Sequence, residues 1–241
     1  MTPVPILDVA DDPESMANRV AAWLVTFIAQ ASGAVGLGLS GGSTPKRVYE
    51  LLGGPDFSPR IDWGKIHLFW GDERFVPATD RDSNYRMAWE ALIQYVPIPP
   101  AQVHPIPTDC ASPEEAAALY EKVLQDFYGS RTLDPDRPLF GVNLLGLGED
   151  GHTASLFPGT VALEERKAWV TSIRGAKPEP RISLTYPALE SSRIILFLVS
   201  GPQKREILGR VLAGDQSLPA ARLATRGAIR IFADRAAAPG R

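Results

Sequence analysis

The chain has 241 residues, enough to bury a sizeable apolar core in one α/β domain without disulfides or metals. Hydrophobic residues make up 44% and charged residues 22%, a globular balance that sets disorder aside. The net charge of −3 gives no general attraction to nucleic acid or an acidic membrane, so any anion site must be a local gathering of donors.

No basic stretch followed by an apolar run opens the chain, so no secretory signal is expected. Nor does any apolar stretch approach the ~20 residues that span a bilayer, and a cytoplasmic protein is the expectation. Pro5 to Val9 reads as a short strand. Asp12 before Pro13 reads as a helix cap and first turn. Met16, Val20, Leu24, Phe27 and Ile28 then recur at helical spacing, predicting an amphipathic helix over about 12–31. Ala34 to Leu39 is a strand that stops at Ser40-Gly41-Gly42-Ser43-Thr44. Pro45 fits the first position of a second helix capped by Thr44 and ended by Gly53-Gly54.

Lys65 to Trp70 reads as the next strand, followed by a loop at 71–74 and a helix near 83–95. The single Cys110 excludes an internal disulfide and offers no thiolate cluster for zinc. Ser112-Pro-Glu-Glu115 is a capping box opening a helix to about Tyr128. Leu139 to Leu145 is a buried-type strand that feeds a long loop from Gly146 to Gly159. Strands follow near 168–173, 181–185 and 193–199, then a helix at Pro202 and a final strand at Ile229 to Phe232.

This alternation predicts an α/β fold: one domain over 1–241 with a mostly parallel sheet flanked by helices. Ligands of such sheets bind beyond the carboxyl ends of the strands. The stretches at 40–44, 71–74, 146–152 and 200–204 all follow strands, so parallel strands would bring all four to one edge.

Two motifs point elsewhere and fail on context. Gly38-Leu-Ser-Gly-Gly42 matches the nucleophile elbow of serine hydrolases, which place a histidine well after the serine. The chain has three histidines and none follows His152; few strands precede Ser40 to present an elbow. Gly146-Leu-Gly-Glu-Asp-Gly151 matches the dinucleotide fingerprint, but Glu149 and Asp150 would repel a pyrophosphate. Phe157-Pro158-Gly159 also breaks the chain where that fingerprint needs a helix.

The loop of Ser40, Gly41, Gly42, Ser43 and Thr44 before a helix is a good phosphate cradle, with inward N–H groups, hydroxyls and helix-end potential. Two glycines and three hydroxyl residues exceed what an ordinary cap needs. Arg74, just past a strand, either grips an anion or pairs with Asp72 or Glu73. Lys204, at a helix start where the dipole disfavours a cation, either serves a bound anion or is solvated. Lys46 either reaches the phosphate or sits on the helix surface. His152 alone among the histidines lies in a Gly-rich loop after a strand, where it can take a proton from water attacking a carbonyl. Asp150 or Glu149 could orient its ring. No second histidine or thiol has ligand spacing to it, so no metal is expected.

Taken together these segments resemble the 6-phosphogluconolactonase family. The resemblance is carried by Leu39-Ser-Gly-Gly-Ser-Thr-Pro45, Trp70-Gly-Asp-Glu-Arg-Phe-Val-Pro77, Asp82-Ser-Asn-Tyr85 and Leu145-Gly-Leu-Gly-Glu-Asp-Gly-His-Thr-Ala-Ser-Leu-Phe-Pro158. Arg181-Ile-Ser-Leu-Thr185 and Leu198-Val-Ser-Gly-Pro-Gln-Lys204 extend it, in the family's order. Gly141 and Ser183 depart mildly from its pattern, where an acidic residue and a threonine are usual. The resemblance implies a fold shared with glucosamine-6-phosphate deaminases and ribose-5-phosphate isomerases. It further implies hydrolysis of 6-phosphogluconolactone in the oxidative pentose phosphate pathway, without a cofactor. His152 would be the base, with Asp150 or Glu149 to support it; Arg74 and the 40–44 loop would meet the substrate, and Lys204 its phosphate. No nucleic-acid or membrane partner is implied. A deaminase or isomerase on the same scaffold would continue after Asp-Gly-His with an Ala-Phe-Asn-Glu-like segment, unlike Thr153-Ala-Ser-Leu-Phe-Pro158. A phosphate-sensing module without catalysis would need the loop but not His152.

Overall fold

A computed structural model describes residues 4–240. The chain begins with β1 (Ile6–Ala10), α1 (Pro13–Gln30), β2 (Val35–Leu39) and α2 (Ser43–Gly53). It continues through β3 (Ile66–Trp70), β4 (Asp72–Arg74), α3 (Asn84–Ala91), α4 (Pro113–Tyr128) and β5 (Phe140–Gly146). After a long loop come β6 (Val170–Ile173), β7 (Arg181–Leu184), α5 (Tyr186–Glu190), β8 (Ser192–Val199), α6 (Arg205–Leu212) and β9 (Ala228–Asp234).

Six strands form a wholly parallel sheet in the order β1-β9-β8-β5-β2-β3. Strands covered on both faces should be continuously apolar, and β2 is buried at every residue. The helices close over those faces with apolar stripes, as α1 does through Val20, Leu24 and Ile28. From β2 the chain steps outward to β3, whereas from β5 it steps the other way to β8 and β9. Connections therefore diverge between β2 and β5, which opens a crevice at their carboxyl ends.

Three expectations need correction. The segments near 168–173 and 181–185 do form strands, but outside the parallel sheet. With residues 72–74, expected as a loop, they make a small antiparallel sheet in the order β4-β7-β6. Main-chain pairing explains it: the N–H of Gly71 bonds Leu39 O at the end of the large sheet, and its C=O accepts from Leu184 of β7. The chain thus passes from one sheet to the other at Gly71. Second, Thr44 does not cap α2. Gly42 does, at φ 105°, and accepts the first helical bond from Lys46 N, which places Pro45 within the first turn. Third, the helix near 83–95 is a two-turn α3 that breaks at Leu92 and ends in a separate single turn at Ile93–Tyr95.

Asp12 and Ser112 cap α1 and α4 as expected, each accepting a backbone N–H three residues on. The capping-box Glu115 reaches the N–H of Ala111, one residue before the cap. Among the described residues no helix is long and apolar enough to cross a membrane.

Candidate active site

A pocket of about 300 Å³ opens in the crevice between β2 and β5. Its walls are Ser40–Pro45 after β2, Asp72 and Arg74 of β4, Asn84 of α3, Gly146–Gly148 and His152 after β5, and Ser200 and Lys204 after β8. All four stretches expected at one edge do converge there.

The reactive side of the pocket is a tight turn. Gly148 N–H bonds the carbonyl of His152, and Gly151, at φ 80°, donates to Gly148 O. This folds Asp150 back so that its Oδ1 lies 2.5 Å from His152 Nδ1 and also accepts the His152 backbone N–H at 3.1 Å. Burial pushes the Asp150 carboxyl upward, but the His152 backbone N–H and the His152 ring outweigh it and hold it below the usual range. A carboxylate on Nδ1 fixes the tautomer that leaves Nε2 as the base. The ring is 26% exposed and packs against Phe157, centroids 4.6 Å apart. Glu149, the alternative support, points away and pairs with Lys204 Nζ at 4.0 Å.

The rest of that loop is fixed residue by residue. Thr153 Oγ1 donates to Gly146 O, and Ala154 takes a positive φ of 48° at the pocket wall. Ser155 Oγ donates to Asp72 Oδ2 at 2.6 Å while its N–H bonds Ser183 Oγ. The loop is thereby riveted to the small sheet. Ser183, one of the two departures, supplies a hydroxyl to this rivet. Gly141, the other, leaves no room for a side chain: a Cβ would meet Val35 Cγ1 at 2.8 Å.

Opposite the histidine lies the glycine loop. Tyr49 OH both accepts from Ser40 N and donates to Ser40 O, which pins the end of β2. Ser40 therefore offers no free N–H to a ligand, and its hydroxyl is buried without a partner, which leaves Gly41 to Thr44 as the exposed part of the expected cradle. Asn84 packs so closely on Gly41 that a methyl group there would overlap its amide. Lys204 caps α6 at the end of the single turn Pro202–Lys204, with its ammonium at the pocket. The turn before it is held by Asp234, whose buried carboxylate accepts from Ser200 Oγ at 2.6 Å and from Gly201 N at 3.0 Å. Lys46 is exposed and does not line the pocket.

Arg74 is not paired with Asp72 or Glu73: its Nη1 donates to Asp82 O at 2.5 Å. Glu73, on the opposite face of β4, is 2% exposed and gathers the chain around it. It accepts from the backbone N–H groups of Arg74, Asn84 and Tyr85 and from Ser83 Oγ. Burial pushes its pKa up, and those N–H groups offset part of the rise.

Sequence reasoning assigned nothing to Asn84 or Arg181, nor to Asp72 or Glu73 beyond pairing with Arg74. Asp72 and Asn84 lie within quoted motifs, but their signal is tertiary: Asn84 Nδ2 donates to Asp72 O across the pocket floor. The other two histidines, His67 and His104, bond each other at 3.1 Å away from the pocket, among Phe69 and Phe127. Among the described residues no group of three or more His, Cys, Asp or Glu side chains is placed to hold a metal.

The chain is similar to known proteins over most of its length. The family model described as glucosamine-6-phosphate isomerases/6-phosphogluconolactonase matches residues 11–231. A 6-phosphogluconolactonase of Synechocystis sp. is 40% identical over 214 residues, covering 88% of this chain and 86% of that protein. The crystal structure of 6-phosphogluconolactonase from Thermotoga maritima superposes with a TM-score of 0.81 at 29% identity, covering 96% of this chain and all (100%) of that one. A monomeric glucosamine-6-phosphate deaminase gives a TM-score of 0.81 at 21% identity, covering 96% and 98%, a likeness of fold alone.

Proposed function

This chain belongs to the glucosamine-6-phosphate isomerase/6-phosphogluconolactonase family, and from that premise we propose that it hydrolyses 6-phospho-D-glucono-1,5-lactone to 6-phosphogluconate by His152-assisted attack of water. The observation that carries this reading is the Asp150–His152 hydrogen bond at 2.5 Å, in the same pocket as the glycine loop and Lys204. A general base oriented by a carboxylate, facing an anion cradle, suits an ester whose far end is phosphorylated.

The phosphate sits on the N–H groups of Gly41 to Thr44, at the positive end of α2, with Lys204 beside it. That anchor brings the lactone carbonyl to His152 and makes the attack effectively intramolecular. His152 Nε2 takes a proton from water as its oxygen bonds C1, and negative charge moves to the carbonyl oxygen. Arg74 stabilises that oxyanion. As the intermediate collapses, the bond from C1 to the ring oxygen breaks, and the imidazolium returns its proton to that leaving oxygen. Asp150 stays ionised throughout and stabilises the imidazolium. Neither cofactor nor covalent enzyme intermediate enters these steps. The whole chain acts as one lactonase domain in the oxidative pentose phosphate pathway, in the cytoplasm.

The test is hydrolysis of freshly generated 6-phosphogluconolactone, corrected for spontaneous opening, by the wild type and His152→Ala. The expected loss is roughly 10²–10⁴-fold in kcat, the usual contribution of a general base. Equal rates for the two proteins would overturn the base assignment. Inactivity of both, with 6-phosphogluconate still bound, would make the protein a sugar-phosphate sensor instead.

A further inference from the structure

A guanidinium carries five N–H donors and no acceptor, so burying one calls for several oxygen partners. Arg181, at the start of β7, has a side chain only 12% exposed. Its side chain makes one weak bond, 3.5 Å from Nη2 to Glu179 Oε2, and its Nε is buried without a partner. Burial and the neighbouring charge of Arg74 both press its pKa down, against a smaller pull from Asp72, Glu179 and Glu73. A cation so short of acceptors and facing a second cation is an arrangement that a bound anion stabilises.

Strand register gives the direction in which it acts. In the antiparallel pair, Arg181 lies directly opposite Arg74, and Ser183 opposite Asp72. Directly opposed residues share one face of a sheet, and Asp72 and Arg74 both line the pocket. Arg181 is therefore on the same face of the small sheet as those two, beside the residues that line the pocket though not itself one of them. The same face is fastened to the histidine loop, since Ser155 bonds both Asp72 and Ser183.

We propose that Arg181 contacts the substrate, forming with Arg74 a two-guanidinium clamp for its C1 end, where the lactone carbonyl becomes an oxyanion and then a carboxylate. The clamp rests on the lactonase reading above. The donors for the phosphate belong to the large sheet, after β2 and β8, whereas the arginine pair belongs to the small sheet. The product carries two anionic ends, so each sheet holds one of them. Planar guanidinium groups match a carboxylate with parallel N–H···O bonds, which the ammonium of Lys204 does not.

The experiment compares two ligands by calorimetry: 6-phosphogluconate, and glucitol 6-phosphate, which keeps the phosphate but has a hydroxymethyl group in place of the carboxylate. The proteins are wild type, Arg181→Gln, Arg181→Lys and Lys204→Ala, each checked by thermal unfolding. Arg181→Gln is expected to weaken 6-phosphogluconate binding about tenfold or more, as for a lost charge-assisted hydrogen bond. It should leave glucitol 6-phosphate within about twofold, inside the usual effect of a change that touches no contact. Lys204→Ala should weaken both ligands. Should the glutamine variant fail to fold, Arg181→Lys carries the same comparison, because it keeps the charge but loses the planar fork. Equal losses for the two ligands, or no loss for either, overturn the clamp. A wild type that neither hydrolyses the lactone nor binds either ligand overturns the functional reading, and the clamp with it.

Discussion

At the scale of single residues, the site depends on side chains that never meet the substrate. Glu73 is the clearest case, because its carboxylate holds four donors that belong to β4 and the start of α3. Replacing it by alanine leaves those donors unpaired in a dry environment, a loss of about 3 kcal/mol or more. Denaturant unfolding of Glu73→Ala should show that loss, and the folded fraction should have a lower kcat/KM because Arg74 and Asn84 are released together. Unchanged stability would mean the carboxylate is dispensable. Asp150→Asn tests a different point. The amide still fills the space but no longer favours the imidazolium or fixes its tautomer, so kcat should fall by about a hundredfold or more with little change in KM. Equal kcat values would return the support of His152 to another group. From sequence, Glu149 and Asp150 were equal candidates, since both neighbour the histidine. Only the turn at Gly148, which sends one carboxylate inward and the other to Lys204, separates them.

At the scale of elements, the loop after β5 is tied by hydrogen bonds to β5, β7 and β4. Gly148 is the tightest point: a Cβ there would strike the His152 ring and lie 2.7 Å from Asp150 Oδ1. Gly148→Ala should therefore displace the dyad while leaving the sheets intact. A misplacement of that order costs about a hundredfold in kcat. Kinetics with a parallel thermal melt would reveal it, and an alanine variant of normal activity would show that the turn can yield. The large elements were readable from sequence because each carries its own periodicity and cap, as α1 and α4 do. β4 was not, because three residues hold no period. Its strand character comes from pairing with β7, more than a hundred residues later. Thr44 was misread as a cap for a related reason. Side-chain type favours it, but the positive φ of Gly42 moves the start of α2 two residues earlier.

At the scale of the whole molecule, the histidine pair far from the site ties stability to pH. Burial lowers His104 first, and the neighbouring His67 adds to it, bringing its pKa down to about 4; burial also lowers His67. Both folded values lie below the ordinary 6.5, so the unfolded chain takes up protons first. The stability they allow is complete above about pH 6.5 and is lost as the pH falls toward 4. The melting temperature of wild type should drop through that window, and His104→Gln should drop less steeply; parallel curves would place acid sensitivity elsewhere. The parallel sheet and its converging loops were foreseeable from alternating strands and helices, whereas the division into two sheets was not, since it turns on a hydrogen-bonded crossing at Gly71. One pairing in the large sheet bears on how the molecule folds. Among the described residues, β1 lies at the sheet edge and pairs only with β9. The paired residues lie more than two hundred positions apart, so this pairing closes a very long loop before its hydrogen bonds repay the entropy. Pairing of β1 with β9 thus asks more of the chain's loop entropy than pairing of strands close in sequence, such as β2 with β3.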